Sequence, residues 1–325
     1  MIAAIILFVL TFLLTAGYRQ LALRSGWLDH PNLRSSHAHS TPRGGGIVFG
    51  SLILLFALWL LRDLIDLRNA LLMGGAVMLA GWWDDIRNLS ARVRFLIYAL
   101  SSTAALFALR NTPLPFSALQ GVGYLIALLG LLWLINLYNF MDGINGIAAV
   151  ETLFVVGAAL VLNGSFAPLN EISTLLMGIC GAVFGFLLWN FPTGKVFMGD
   201  AGSALLGFFI GVLLLSSPLW SGPKSTTWLI LLGVFIVDSG YTLTVRWFTG
   251  QRWYEAHRLH AYQKLTTRFA SHSKAVLLIS SINILWLLPW AWVAENGRCS
   301  QGIDLFLAYL PLLMGCAALK AGKPL

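Results

Sequence analysis

Long apolar runs, broken by short polar stretches, fill the chain from end to end. Eleven runs have the composition of helical spans: 1–24, 44–61, 68–83, 93–110, 119–138, 144–162, 171–189, 201–217, 227–247, 275–293 and 304–319. A helix of about 20 apolar residues crosses a bilayer core. The period-two alternation of a membrane β-barrel is absent. The pattern predicts an all-α, polytopic membrane bundle of about 11 transmembrane helices, a single domain over residues 1–325.

The polar gaps are not alike. Five are rich in acids, histidines, asparagines and glycines: Asp29–Gly46, Asp84–Arg94, Asn136–Gly146, Asn190–Ser203 and Gln251–Lys274. Threading the chain through eleven spans puts all five on one side. Loops of the other side, such as "NTPLPFSALQ", carry no comparable chemistry.

Composition agrees with the pattern. The chain is 58% hydrophobic and 10% charged, with mean hydropathy +0.79, against about 25% charged residues in soluble domains. The net charge of +8 does not imply a nucleic-acid partner, because no Lys/Arg-rich run occurs. Membrane proteins hold Lys and Arg on cytoplasmic loops. With the N-terminus outside, 16 of the 21 cations fall on the inner side and 5 on the outer. The polar stretches therefore face the cytoplasm. The first run has no preceding cations, which predicts an uncleaved helix. Cys180, Cys299 and Cys316 form no CxxC pair, so neither a disulfide framework nor a zinc site follows.

Four motifs carry chemistry. "WWDDIRNLS" sets Asp84 beside Asp85, and adjacent carboxylates near lipid stay ionised only with cations at hand. Either a metal or phosphate site or a solvated helix end fits. "NLYNFMDGINGI" places Asn136, Asn139 and Asp142 along one helix side, suited to sugar hydroxyls, a metal or a base. "KVFMGDAGS" puts Asp200 between Gly199 and Gly202, with Lys195 upstream as a substrate-binding cation. There Asp200 can bind Mg²⁺ through oxygen or cap a helix, and the glycines leave room for phosphate. "YEAHRLHAYQKL" holds His257, Arg258 and His260 among further cations, a field suited to a diphosphate clamp or to anionic lipid. The loop "HPNLRSSHAHSTPRGGG", with His37 and Arg43, adds a basic segment that could hold diphosphate. Asp238, in the ninth run, is a further acid available to the site.

Together these stretches resemble the polyprenyl-phosphate N-acetylhexosamine-1-phosphate transferases (glycosyltransferase family 4). The likeness runs through "RSSH", "TPRGGG", Asp84-Asp85, "NFMDGINGI", "KVFMGDAGS" and "HRLHAYQ". It implies Mg²⁺-dependent transfer, with Mn²⁺ as an alternative ion, of a sugar-1-phosphate from a UDP-N-acetylhexosamine to undecaprenyl phosphate, releasing UMP. Asp200 then maps to the metal, Asp84 and Asp85 to lipid phosphate and catalysis, and Asp142 to the nucleotide and catalytic region. The histidine loop maps to sugar or diphosphate. Other branches carry three successive histidines where this chain has His-Arg-Leu-His. "HAYQ" looks most like the O-antigen-initiating branch of the bacterial inner membrane, whose donors include N-acetylfucosamine and N-acetylquinovosamine; N-acetylglucosamine stays open. A homodimer is compatible with this, and direct attack and an aspartyl intermediate are both left open. The competing class is a transporter of an anionic substrate. Transporters, however, place charge near the bilayer midplane and often repeat their halves.

The cation asymmetry has a direct test. In intact cells a membrane-impermeant thiol reagent should label a cysteine at position 224 and spare one at position 195. Labelling of position 195 from outside would reverse the topology.

Overall fold

The computed structural model describes residues 1–31, 39–114, 120–163, 170–252, 255, 257–298 and 300–324. It is a helical bundle. In chain order come α1 (Ile2–Ser25), a two-residue antiparallel pair of β1 (Leu28–Asp29) and β2 (Thr41–Pro42), then α2 (Gly46–Leu60), α3 (Ile65–Leu72), α4 (Gly74–Arg87) and α5 (Ala91–Ala108). They are followed by α6 (Gln120–Met141), α7 (Ile147–Leu162), α8 (Glu171–Asn190), α9 (Gly199–Ser216), α10 (Ser225–Leu231) and α11 (Gly233–Phe248). The chain closes with α12 (Ala261–Phe269), α13 (His272–Ile282), α14 (Leu288–Glu295) and α15 (Gln301–Ala318).

Among the described residues six helices are long and apolar enough to cross a membrane, with α13 and α14 counted as the one span His272–Glu295, or seven if α10 and α11, bent by 73° at Leu232, count as one more. α2, α7 and the greater part of α15 are shorter apolar helices. The sequence expectation of one span over 68–83 meets two helices, α3 and α4, parted at Met73. The β1–β2 pair is the one departure from all-α architecture among the described residues, and it positions Arg43.

α9 is the axis. Every residue from Asp200 to Ser216 is buried. Inside lipid, helices gain little from hydrophobicity and associate through close packing, which small residues permit. Glycines let three neighbours approach α9. A Cβ on Gly46 of α2 would lie 2.2 Å from Gly202, one on Gly81 of α4 would lie 2.4 Å from the Asp200 carbonyl, and one on Gly207 would lie 2.4 Å from the Leu134 carbonyl of α6. α1 is held to α8 in the same way, through Gly181 against the Ala4 carbonyl and Gly185 against that of Phe8.

These contacts predict an inverted glycine rule. In a free helix Gly→Ala gains about 1 kcal/mol. Gly81→Ala must instead push α4 off the α9 backbone, costing about 1–3 kcal/mol of overpacking and most of any activity that depends on Asp84 and Asp85. Gly75→Ala, whose new methyl meets nothing nearer than 3.7 Å, should leave thermal stability unchanged or raised. Melting in detergent, followed by fluorescence, compares the two.

Candidate active site

The five polar stretches meet at one end of the bundle, and hydrogen bonds tie each to the next. The β2 segment joins the α8–α9 loop through Phe197 N–H to Pro42 O (2.8 Å), Gly45 N–H to Phe197 O (3.0 Å) and Gly46 N–H to Met198 O (2.9 Å). The α6–α7 loop joins α8 through Gly146 N–H to Asn190 Oδ1 (2.6 Å). α12 joins α6 through Tyr262 OH to Phe140 O (3.1 Å).

At the centre lie three carboxylates and two guanidiniums. Asp85 accepts from the backbone N–H groups of Asp200 (2.9 Å) and Ala201 (3.1 Å), and Arg43 Nε lies 2.8 Å from its Oδ1. Arg43 also reaches Asp200 Oδ1 at 3.0 Å. Arg94 Nη1 donates to both Asp84 and Asp200, the latter at 2.6 Å. The first N–H groups of a helix lack internal partners and attract negative charge. The sequence left open whether Asp200 caps α9. The structure assigns that role to Asp85, which frees the Asp200 carboxylate to point at arginine. The Asp85 side chain is fully buried, whereas those of Asp84 and Asp200 are 12% exposed. The latter two therefore face the opening.

Gly199 is also reassigned. Its φ is +70°, and a Cβ there would lie 2.2 Å from Asp85 Oδ2. The glycine makes room for the chain's own carboxylate. Lys195 stays outside the cluster: it is exposed, with its ammonium 5.8 Å from the Trp189 ring centroid. Asn136 donates to the Leu132 carbonyl of its own helix (2.8 Å), and Asn139 donates to Ser203 Oγ (3.4 Å). Asp142 follows the end of α6 in a loop. Burial, with the charges of Asp200 and Asp85 in reach, pushes its carboxyl well above the usual range, as suits a group that exchanges protons. His37 lies outside the described residues.

The histidine loop forms a second wall. His257 and His260 stack with centroids 4.9 Å apart. Burial, then the neighbouring His260 and Arg246, push His257 down to about 3, so it is neutral at physiological pH. Its Nδ1 accepts from Leu259 N–H at 3.4 Å, which leaves its proton on Nε2. His257 therefore offers a neutral N–H to a ligand, while Arg258 supplies charge beside a cleft of about 280 Å³ that it shares with Thr266, Ser271 and His272. Asp238 is not a further acid of the central cluster: it lies 3.2 Å from His260 Nδ1.

Two residues escaped the sequence reading. Arg94 counted there only as an inner-side cation, yet it bridges two acids. Asn190 holds Gly146 N–H and Val196 O (3.0 Å) at once. An amide at the end of an apolar helix, beside a glycine-rich loop, was its signal.

The comparisons bear on this geometry. A family model described as Glycosyl transferase family 4 matches residues 67–217, which include Asp84, Asp85, Asp142 and Asp200. The chain is similar to glycosyl transferase family 4 over 151 of its 325 residues. It is 28% identical over 306 residues to a probable undecaprenyl-phosphate N-acetylglucosaminyl 1-phosphate transferase of Bacillus subtilis, covering 88% of this chain and 82% of that protein. It is 28% identical to a decaprenyl-phosphate N-acetylglucosaminephosphotransferase of Mycolicibacterium smegmatis, over 83% of this chain and 76% of the relative. A phospho-N-acetylmuramoyl-pentapeptide-transferase of Chlamydia abortus is 30% identical over 62% of this chain and 65% of its own. The family match spans the acid cluster and stops short of Arg43 and the histidine loop, so this chain's structure is what joins those parts to it.

The division of labour among the acids predicts a split in stability. Asp85→Asn gives up half of a helix cap, worth about 1 kcal/mol, and part of the Arg43 pair, so its melting temperature should fall. Asp200→Asn relieves repulsion by Asp84 and Asp85 and should melt at or above wild type. Equal destabilisation of the two variants would refute the assignment.

Proposed function

We propose that this protein transfers an N-acetylhexosamine-1-phosphate from a UDP-sugar to undecaprenyl phosphate, as an inner-membrane enzyme of about 11 spans working on the cytoplasmic face. The observation that carries the reading is the convergence of five polar stretches on one Asp/Arg cluster, at the end of an apolar bundle similar to family 4. A lipid phosphate and a soluble nucleotide sugar can meet only where hydrocarbon ends. Relatives named for polyprenyl-phosphate N-acetylglucosamine-phosphate transfer support the substrate class. The donors suggested by the "HRLHAYQ" loop are UDP-N-acetylfucosamine, UDP-N-acetylquinovosamine and UDP-N-acetylglucosamine. The product would then begin O-antigen or a related envelope polysaccharide.

In the reaction an oxygen of the lipid phosphate attacks the donor phosphorus that carries the sugar. The bond from that phosphorus to the bridging oxygen breaks, and UMP leaves with the electron pair. A phosphate monoester has its second pKa near 6, so the nucleophile is largely a dianion at neutral pH. The task is then to bring anions together, which is electrostatic work. Arg43 and Arg94 face the opening and meet phosphate oxygens, Asp142 holds or receives a proton, and His257 donates Nε2–H to the donor.

The residues fit a divalent ion. Among the described residues no three His, Cys, Asp or Glu side chains form a ready metal cage, but Mg²⁺ typically uses one or two carboxylates and keeps waters. Asp84 and Asp200 face the opening and share one cation, Arg94 Nη1. With Asp85 counted, three acids stand against two arginines, an excess of one negative charge when all three are ionised. Mg²⁺ bound by Asp84 and Asp200 would supply charge neutralisation for the diphosphate.

Purified protein with radiolabelled UDP-N-acetylhexosamines and undecaprenyl phosphate should form lipid-linked sugar and UMP in equal amounts. EDTA should stop the reaction and Mg²⁺ restore it. Asp200→Asn should cut turnover roughly 100-fold or more. Mg²⁺ should also raise the melting temperature of wild type and not of this variant. Absence of lipid-linked product with every donor would overturn the function, and equal Mg²⁺ stabilisation of both proteins would overturn the metal seat.

A further inference from the structure

We propose that Asp238 is a positioning residue for the donor, acting through His260 and the start of α12; this rests on the transferase reading above. Asp238, Thr242 and Arg246 recur every four residues along α11 and so share one face. All three are buried, at 3%, 0% and 5% exposure, and the face they form is the socket of the histidine loop. Arg246 Nη2 donates to Arg252 O at 2.5 Å. Asp238 Oδ1 accepts from Thr242 Oγ1 (3.2 Å) and Ala261 N–H (2.8 Å) and lies 3.2 Å from His260 Nδ1, and Oδ2 accepts from Tyr262 N–H (2.9 Å).

A carboxylate has about four acceptor sites. Four groups of the protein engage the Asp238 carboxylate, three at Oδ1 and one at Oδ2, and at 3% exposure it is turned inward. Its influence passes through what it holds. A bond from His260 Nδ1–H to a carboxylate fixes the tautomer and the ring plane. The fixed ring stacks on His257 at 4.9 Å and on Tyr262 at 5.6 Å. His257 is the histidine that presents Nε2–H, and the Tyr262 hydroxyl binds Phe140 O, two residues before Asp142. One buried carboxylate thus sets the height of the donor-binding loop against the acid cluster. His260, 3% exposed, is the inner member of the pair.

The rest of the loop is tied to the segment around Gly322. Gly322 N–H donates to Leu259 O (2.8 Å), Gln251 Nε2 to Gly322 O (3.0 Å) and Lys264 Nζ to Lys323 O (2.7 Å). These hold the loop without reading a histidine, whereas Asp238 reads it. Asparagine in its place keeps the size and turns one oxygen into an N–H donor. That donor would face either the Tyr262 N–H or the three groups now at Oδ1.

The test has two arms. In protein labelled with ¹⁵N-histidine, with the His260 signal assigned by its loss in His260→Ala, wild type at a pH above the usual histidine range should show His260 protonated on Nδ1. Asp238→Asn should lose that signature. This arm needs no substrate, and its deciding result is read on wild type: an Nε2–H tautomer of His260 overturns the proposal, whatever the enzyme acts on. In the kinetic arm Asp238→Asn should raise the donor KM roughly 10- to 100-fold and leave the undecaprenyl phosphate KM unchanged. Adding Asp238→Asn to His260→Ala should cost less than about threefold more, because the two residues act as one unit. Asp238→Asn with an unchanged donor KM, or losses that multiply in the double variant, would show a helix cap only and overturn the proposal. A wild type inactive on every UDP-sugar would remove the transferase reading and leave the tautomer result to stand or fall alone.

Discussion

Unlike charges have to be matched at the rim of a membrane bundle, and the match between Asp85, the start of α9 and Arg43 organises the rest. A buried carboxylate without partners is costly. Asp85 finds two backbone N–H groups and a guanidinium. That bond joins α4 to α9 and draws the β1–β2 pair over both. Once Asp85 is satisfied, Asp200 cannot also turn inward. It shares Arg43 with Asp85 and Arg94 with Asp84, which puts two acids, Asp84 and Asp200, at the opening.

The closeness of the helices serves the same end. Gly81 lies against the Asp200 carbonyl and Gly46 against Gly202, so the glycines that allow α2 and α4 to touch α9 sit within a turn of the acids. Packing and charge are adjusted at one level of the bundle. Larger residues there would move carboxylates as well as helices.

Much of this was legible from pattern. The apolar runs marked helices at nearly every place where one occurs, and the shared side of the polar stretches follows from counting spans. Asp84, Asp85, Asp142 and Asp200 stood out because acids are rare in such a chain. What was not legible is which acid meets which donor. Asp85 and Asp200 are 115 positions apart, and a cap supplied from another helix leaves no local signature. Gly199 read as room for phosphate because nothing in its neighbourhood announces the Asp85 carboxylate. Lys195 read as a ligand group because proximity in sequence to Asp200 suggested proximity in space; its backbone N–H bonds Trp189 O, which turns it toward α8. The break at Leu232 was hidden by unbroken hydrophobicity.

The loop carrying Asp142 shows how the two walls are coupled. Gly146 N–H is held by Asn190, and Asn145 donates to Pro192 O (3.1 Å) and, through its backbone, to His272 Nδ1 (3.3 Å). Phe140 O is held by Tyr262, whose hydroxyl would lie 2.1 Å from a Cβ at Gly143. The segment is therefore pinned by α8 on one flank and by α12 and α13 on the other. It can shift only if the α8–α9 loop or the histidine loop shifts with it. A ligand drawing Arg258 and His257 together would pull on α12, and through Tyr262 on the backbone beside Asp142. A ligand engaging Asp200 would act on the same segment from the α8 side. The two halves of the site share this segment, so a ligand held in either half would act on the backbone beside Asp142.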